Sequence, residues 1–248
     1  MRKTVIITGG TKGIGRSLTE GFAAAGYAVV VGARHPSGVE EISPDNIRFV
    51  ATDVRKEADH LRLTKAALDW TGRVDVYVNN AGFSEWRPIA AIDDAFFDEM
   101  MAVNLKGAFW GCKSAAAAMS NGGVIINISS LAGKRGTPNN SMYVASKFGM
   151  NGLTQSLAKE LGPGLIRVNA LCPVLIETPG LMDALRTEWS PAKGNPEAFL
   201  ANFSAANSPL GRLPTGADVA SMALYLASDA AAAITGQCIN VDCGVLPQ

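Results

Sequence analysis

Tyr143 and Lys147 stand four residues apart in a stretch that reads as helix over 141–161, so both side chains fall on one face. A phenol titrates near ~10 and is a poor base at neutral pH, but a neighbouring ammonium favours the phenolate. The pair is therefore suited to donate or accept a proton at an oxygen that cycles between ketone and alcohol. Ser130 lies thirteen residues earlier, just past an apolar run at 124–128. There its hydroxyl can hydrogen-bond the same oxygen as the charge on it changes. As a bare pair, Tyr143 and Lys147 would read as a half-buried tyrosine beside a surface lysine, and only such partners give them chemical meaning.

A second constellation opens the chain: a β-branched run at 5–8 enters Thr8-Gly9-Gly10-Thr11-Lys12-Gly13-Ile14-Gly15, and a helical period follows at Ile14, Leu18, Phe22 and Ala25. Glycines allow a tight turn, close approach of a pyrophosphate to main-chain N–H groups, and packing of the helix on the strand. The helix N-terminus then presents free donors and partial positive charge. Gly10 to Ser17 also reads G-x-x-x-x-G-R-S, near a triphosphatase P-loop. However, Arg16 occupies the lysine position, and arginine is no equivalent there. The glycine spacing alone therefore leaves the ligand open.

The elements that must position these residues alternate along the chain. Strands are expected at 5–8, 29–31, 47–50, 74–78, 124–128, 166–171 and 237–241. Helices are expected at 57–70, 94–119, 141–161 and 217–227, besides the one after the glycine loop. The strands are continuous apolar runs without alternation, which fits a parallel sheet covered on both faces. The fold class expected is α/β: a Rossmann-type doubly wound, seven-stranded parallel sheet in one domain spanning 1–248. An irregular stretch rich in Pro and Gly, about 174–210, is expected to form a lid over the substrate.

Three further motifs follow in order: Asn79-Asn80-Ala81-Gly82, Asn104 within Val103-Asn104-Leu105-Lys106-Gly107, and Asn127-Ile128-Ser129-Ser130 ahead of Tyr143-Val144-Ala145-Ser146-Lys147. Together with Thr8–Gly15 they make the whole chain resemble the short-chain dehydrogenase/reductase family. The resemblance implies roles residue by residue. Tyr143 would exchange the proton at the substrate oxygen, and Lys147 would hold a nicotinamide ribose and tune Tyr143. Ser130 would orient the substrate, and Asn104 would anchor a water of a proton relay. Gly9, Thr11, Lys12, Gly13, Ile14 and Gly15 would cradle the cofactor's phosphates. Asn80, Ala81 and Gly82 would line its cleft, and Asp53 with Val54 would meet the adenine. Pro173, Ile176 and Thr178 match the family's positions near the carboxamide, but Val174 replaces a glycine. Valine does not readily take positive φ, so either the backbone differs there or Val174 narrows the pocket.

The second strand ends Val31-Gly32-Ala33-Arg34-His35. In this fold an acid at that end grips the ribose diol of NAD. Here Ala33 takes its place and Arg34 follows, while Lys12 adds a second cation. A guanidinium fork suits a 2′-phosphate, so NADP(H) is expected over NAD(H). The substrate would be a small carbonyl or secondary alcohol. Trp86, Leu181, Met182 and Trp189 would give it a partly apolar chamber, with Glu85 or Arg135 facing a polar group. Two other readings stay open: a non-catalytic cofactor sensor on the same fold, and an NAD-dependent alcohol or sugar dehydrogenase.

Composition narrows the partners. The 248 residues carry 22 Lys+Arg against 22 Asp+Glu, a zero balance that argues against a nucleic-acid binder. No stretch approaches the ~20 apolar residues of a membrane span. The start runs straight into the glycine motif, so a chain beginning inside its fold and working in the cytoplasm is expected. The four cysteines form no CxxC and the only histidines are His35 and His60, so no metal site is expected. Cys172 is singled out because it falls beside the expected site. A homotetramer or homodimer is expected from family resemblance, through the small-residue faces near 115–118 and on 141–161.

Overall fold

Seven parallel strands in the order β3-β2-β1-β4-β5-β6-β7 form one sheet in the computed structural model, which describes residues 2–36, 38–39 and 45–247. The strands are β1 (Thr4–Thr8), β2 (Ala28–Ala33), β3 (Ile47–Ala51), β4 (Val76–Asn79), β5 (Gly123–Ile128), β6 (Ile166–Pro173) and β7 (Cys238–Val241). The helices are α1 (Gly13–Ala24), α2 (Glu57–Thr71), α3 (Asp94–Met101), α4 (Gly107–Ala118), α5 (Ser141–Leu161), α6 (Pro179–Leu185), α7 (Pro196–Asn207) and α8 (Gly216–Ala227).

Alternate residues of each central strand serve opposite faces. Val5 and Ile7 of β1 pack with Leu18 and Phe22 of α1 and Val219 and Ala223 of α8. Ile6, between them, joins Leu63 and Ala67 of α2 and Cys112 and Ala115 of α4. Both faces are thus dry, which is why these strands read as unbroken apolar runs. Removing a side chain as large as fully buried Phe22 costs about 3–5 kcal/mol. The strand order reverses beside β1, whose neighbours are β2 and β4. The C-terminal edge at that point opens a crevice where open α/β sheets bind ligands.

Two expected elements are corrected. The helix expected over 94–119 is interrupted by a π-helical turn, Ala102–Lys106, between α3 and α4. Such a turn inserts extra backbone without breaking the rod, and Asn104 sits inside it. The 174–210 stretch is not irregular throughout, since it contains α6 and α7. Pro179 and Pro196 stand in their first turns, where proline's missing N–H costs nothing. Thr178 and Asn195 cap them, accepting from Leu181 N at 3.2 Å and Ala198 N at 3.0 Å. This segment has its own small core of Ala184, Leu185, Ala192 and Leu200 closed against Trp86. Among the described residues no helix is long and apolar enough to cross a membrane.

Candidate active site

A cleft of about 1100 Å³ lies over the C-terminal edge of the sheet and is lined from the glycine loop at one end to the α6–α7 segment at the other. The loop's shape depends on its glycines. Gly9 and Gly13 have φ of +67° and +56°, and a Cβ at Gly15 would lie 2.0 Å from the Gly9 carbonyl oxygen. Asn80 braces the loop, its Nδ2 donating to Thr8 O at 2.9 Å and Gly9 O at 3.1 Å. Thr8 Oγ1 in turn accepts from the main-chain N–H of Asn80 at 3.0 Å and of Ala81 at 3.2 Å. Gly9, Thr11, Lys12, Gly13, Ile14, Gly15, Asn80, Ala81 and Gly82 all line the cleft. Close backbone approach at a helix N-terminus is the cradle a pyrophosphate fits. Arg16, the candidate P-loop cation, instead lies along α1 with its Nε 2.8 Å from Glu20 Oε1.

On the adenine side expected from the sequence, Asp53 and Val54 are present but differently disposed. The Asp53 carboxylate is gripped by the Arg55 guanidinium, at 2.9 Å from Nε and 2.7 Å from Nη2, which holds it down at about 2. Arg55 reaches on to Glu99 at 2.8 Å. Val54 is buried, and its carbonyl lies 2.9 Å from His60 Nε2. The other ring nitrogen of His60 meets Tyr77 Oη at 2.8 Å, and burial lowers the affinity of this imidazole for a second proton. Arg34 and His35 are exposed at the cleft rim after β2. Neither Arg34 nor Lys12 has a side-chain partner among the described residues.

Ser130 and Tyr143 both line the cleft. Ser130 follows β5, and its Oγ accepts from Ala132 N at 3.1 Å, which fixes the hydroxyl at the strand end. Tyr143 stands in the first turn of α5. Burial pushes the phenol's pKa up, and the Ser130 hydroxyl pulls it partly back. One turn on, Lys147 Nζ lies 5.6 Å from the Tyr143 ring centroid and donates to Ile128 O at 2.8 Å. The expected lowering of Tyr143 by Lys147 is not seen in the free chain, where burial sets the direction.

Lys147 is only 4% exposed, and burial pulls it down to about 8 from 10.5. In that window the unfolded chain binds a proton that the folded chain has lost, so stability rises with pH there. The gain is on the order of 3 kcal/mol between pH ~8 and ~10.5. Urea unfolding of the wild type and Lys147→Met across that range checks it: the wild type should gain relative to the variant, and parallel curves would mean that Lys147 is not desolvated.

Asn104 does not reach the cleft wall. It is fully buried, with Oδ1 accepting from Phe83 N at 3.0 Å and Nδ2 donating to Phe83 O at 2.8 Å. Its side chain therefore clamps the backbone after β4, and its Nδ2 also donates to Ser146 Oγ at 3.3 Å. Pro173, Ile176 and Thr178 line the cleft, as does Val174. Val174 is not among the residues with positive φ, so the valine forces no strain and its side chain packs with Leu131 and Cys172. Thr178 Cγ2 would lie 3.2 Å from a Cβ at Gly13, so the glycine loop and the chain after β6 touch.

In the other half of the cleft Trp86, Leu181, Trp189 and Arg135 are on the wall, whereas Met182 and Glu85 are not. Glu85 pairs with Arg87 at 2.7 Å. Cys172 is buried behind the wall, its thiol pushed up to about 11 by burial, and so lacks the thiolate that reactivity needs. Lys193, Phe199 and Phe203 also line this half, and the sequence reading did not single out Lys193. Its only signal was a cation beside Gly194 in a stretch taken as irregular.

The family model described as enoyl-(acyl carrier protein) reductase matches residues 9–246. The 4-formylbenzenesulfonate dehydrogenase of Comamonas testosteroni is 35% identical, over 98% of this chain and 97% of that one. The 3-oxoacyl-[acyl-carrier-protein] reductase of Thermotoga maritima is 33% identical, over 98% of both. Among solved structures, the 3-ketoacyl-(acyl-carrier-protein) reductase of Brucella melitensis, complexed with NADH, superposes with a TM-score of 0.87 at 32% identity, over 98% of both chains. The chain belongs to the short-chain dehydrogenase/reductase family of oxidoreductases.

Proposed function

We propose that the protein is an NADP(H)-dependent oxidoreductase that interconverts a carbonyl and a secondary alcohol, with Tyr143 as general acid and base. The observation that carries this reading is that Ser130, Tyr143 and Lys147 line one cleft over the C-terminal edge of the sheet, with the Lys147 ammonium 5.6 Å from the Tyr143 ring centroid. A substrate oxygen held by both hydroxyls receives the Tyr143 proton in reduction and returns it in oxidation. A nicotinamide bound along the glycine loop supplies or takes up the hydride at carbon. Lys147 holds the adjoining ribose and stabilises the phenolate left after proton transfer, while Asn104, fixed through its side chain on Phe83, anchors a water of the proton relay. The relatives' names, a formylbenzenesulfonate dehydrogenase and oxoacyl reductases, support carbonyl chemistry.

The preference for NADP(H) rests on Ala33 in place of an acid and on Lys12 and Arg34, cations without partners among the described residues. A guanidinium–phosphate pair contributes about 1.5–3 kcal/mol. Arg34→Asp is therefore expected to lower kcat/KM for NADPH by about 10- to 100-fold, and Ala33→Asp to shift preference towards NADH. If NADPH efficiency barely falls in either variant, Arg34 does not hold the 2′-phosphate.

The function itself is tested by screening carbonyl compounds for NADPH oxidation, with NADH in parallel. Turnover with either cofactor supports an enzyme, and cofactor binding without turnover of any carbonyl favours the sensor. The same reading takes 1–248 as one domain with a lid at about 174–210, working in the cytoplasm on a small molecule without nucleic acid or membrane. It also takes the protein as a homotetramer or homodimer, which the exposed Phe109 on α4 and Phe148 on α5 support.

A further inference from the structure

The substrate half of the cleft is unequally charged. Arg135, five residues beyond Ser130, is half-buried on the wall and has no side-chain hydrogen bond or ion pair among the described residues. Lys193 lines the same cleft from the segment between α6 and α7 and is likewise unpaired among the described residues. These two wall segments are joined. Asn139 Nδ2 donates to Trp189 O at 3.4 Å, and Asn139 O accepts from Arg87 N at 2.6 Å.

No acid among the described residues on the wall balances these cations. Asp53 and Glu99 are the only carboxylates among the described residues on the wall, both are at the adenine end, and both are held by Arg55. Glu85, between the wall residues Ser84 and Trp86, is taken by Arg87 and lies off the wall. Large apolar side chains, Trp86, Leu181, Trp189, Phe199 and Phe203, supply much of the rest of this half, beside the uncharged polar Ser84, Thr137, Asn139 and Ser190. A guanidinium partly removed from water and left without an acid is unfavourable unless an anion completes it, and its planar fork matches two oxygens of an oxyanion.

We propose that the substrate carries an anionic group, a carboxylate or sulfonate held by Arg135 with Lys193 adding to the field, on an apolar body the size of an aromatic ring. The inference rests on the reductase reading and names the substrate class of that same site. The test compares para-acetylbenzoate, para-acetylbenzenesulfonate and the uncharged methyl ester of the benzoate, with NADPH. In the wild type kcat/KM for one or both anions should exceed that of the ester by about 10- to 100-fold, and added salt should narrow the gap. The two anions separate a preference for planar carboxylate from one for any oxyanion. Arg135→Met should bring the anion-to-ester ratio close to one, mainly through KM, and Arg135→Lys should restore part of it.

An ester reduced as well as the anions, or an Arg135→Met variant that lowers all three alike, overturns the proposal and leaves the reductase reading standing. If no carbonyl compound is reduced, that reading fails and calorimetry decides the anion site separately. Binding of acetylbenzoate to the NADPH-loaded protein that is lost in Arg135→Met upholds the site, and no binding in the wild type overturns it.

Discussion

Tyr143→Phe is expected to lower kcat for carbonyl reduction by about 10²- to 10⁴-fold, the range that a positioned proton donor contributes, with NADPH binding nearly unchanged. The substitution removes one oxygen and leaves the ring on the cleft wall. Ser130 keeps its bond from Ala132 N at 3.1 Å and Lys147 keeps its bond to Ile128 O at 2.8 Å, so neither neighbour needs to move. What is lost is the proton delivered as hydride arrives. The phenol's pKa lies above its ordinary value in the free chain because it is buried, so the wild type holds it as the acid, the form that reduction needs. Steady-state rates and a fluorescence titration with NADPH separate the two effects. If the variant keeps most of the wild-type kcat, Tyr143 is not the proton donor; if cofactor binding collapses too, the substitution has disturbed more than the proton.

Gly15→Ala tests the other end of the cleft, and there two effects oppose each other. Alanine favours a helix interior over glycine by about 1 kcal/mol, and Gly15 lies within α1. Against this, the added Cβ would sit 2.0 Å from Gly9 O, 2.8 Å from Gly9 C and 2.6 Å from Asn80 Nδ2. Two of those atoms are backbone, and Gly9 cannot retreat easily because its own N–H donates to Gly32 O at 2.7 Å. Overpacking of this kind costs about 1–3 kcal/mol, so the clash wins. The loop should shift, the protein should unfold at lower urea, and cofactor affinity should fall by about 10- to 100-fold as phosphate-binding N–H groups are displaced. Wild-type affinity together with an unchanged urea midpoint would show that helix and loop do not approach so closely.

The glycine loop was legible because glycine takes positive φ and close backbone approach at the least steric cost. Tyr143 and Lys147 were legible through helical spacing, and the strands through their unbroken apolar character. The π turn at Ala102–Lys106 was not, because an apolar period changes little when one turn is widened. The helices after β6 were hidden for a different reason. Pro179 and Pro196 read as breakers, yet both occupy first turns, where proline is tolerated. Asn104 could be matched to a motif, but its closure on Phe83 joins residues 21 apart, a pairing that spacing does not specify.

By itself, the order of residues determined the layers of the fold and the types of group at the cleft, because local periodicity and steric need are written into neighbouring positions. Which charges are left over was decided only by the tertiary structure. Arg55 is spent on Asp53 and on Glu99, 44 residues away, Arg87 on Glu85 and Arg16 on Glu20. Lys12, Arg34, Arg135 and Lys193 have no such partners among the described residues. A zero net charge says nothing of this, since ion pairing depends on where folded backbone directs each side chain, and those separations exist only once distant segments have been brought together.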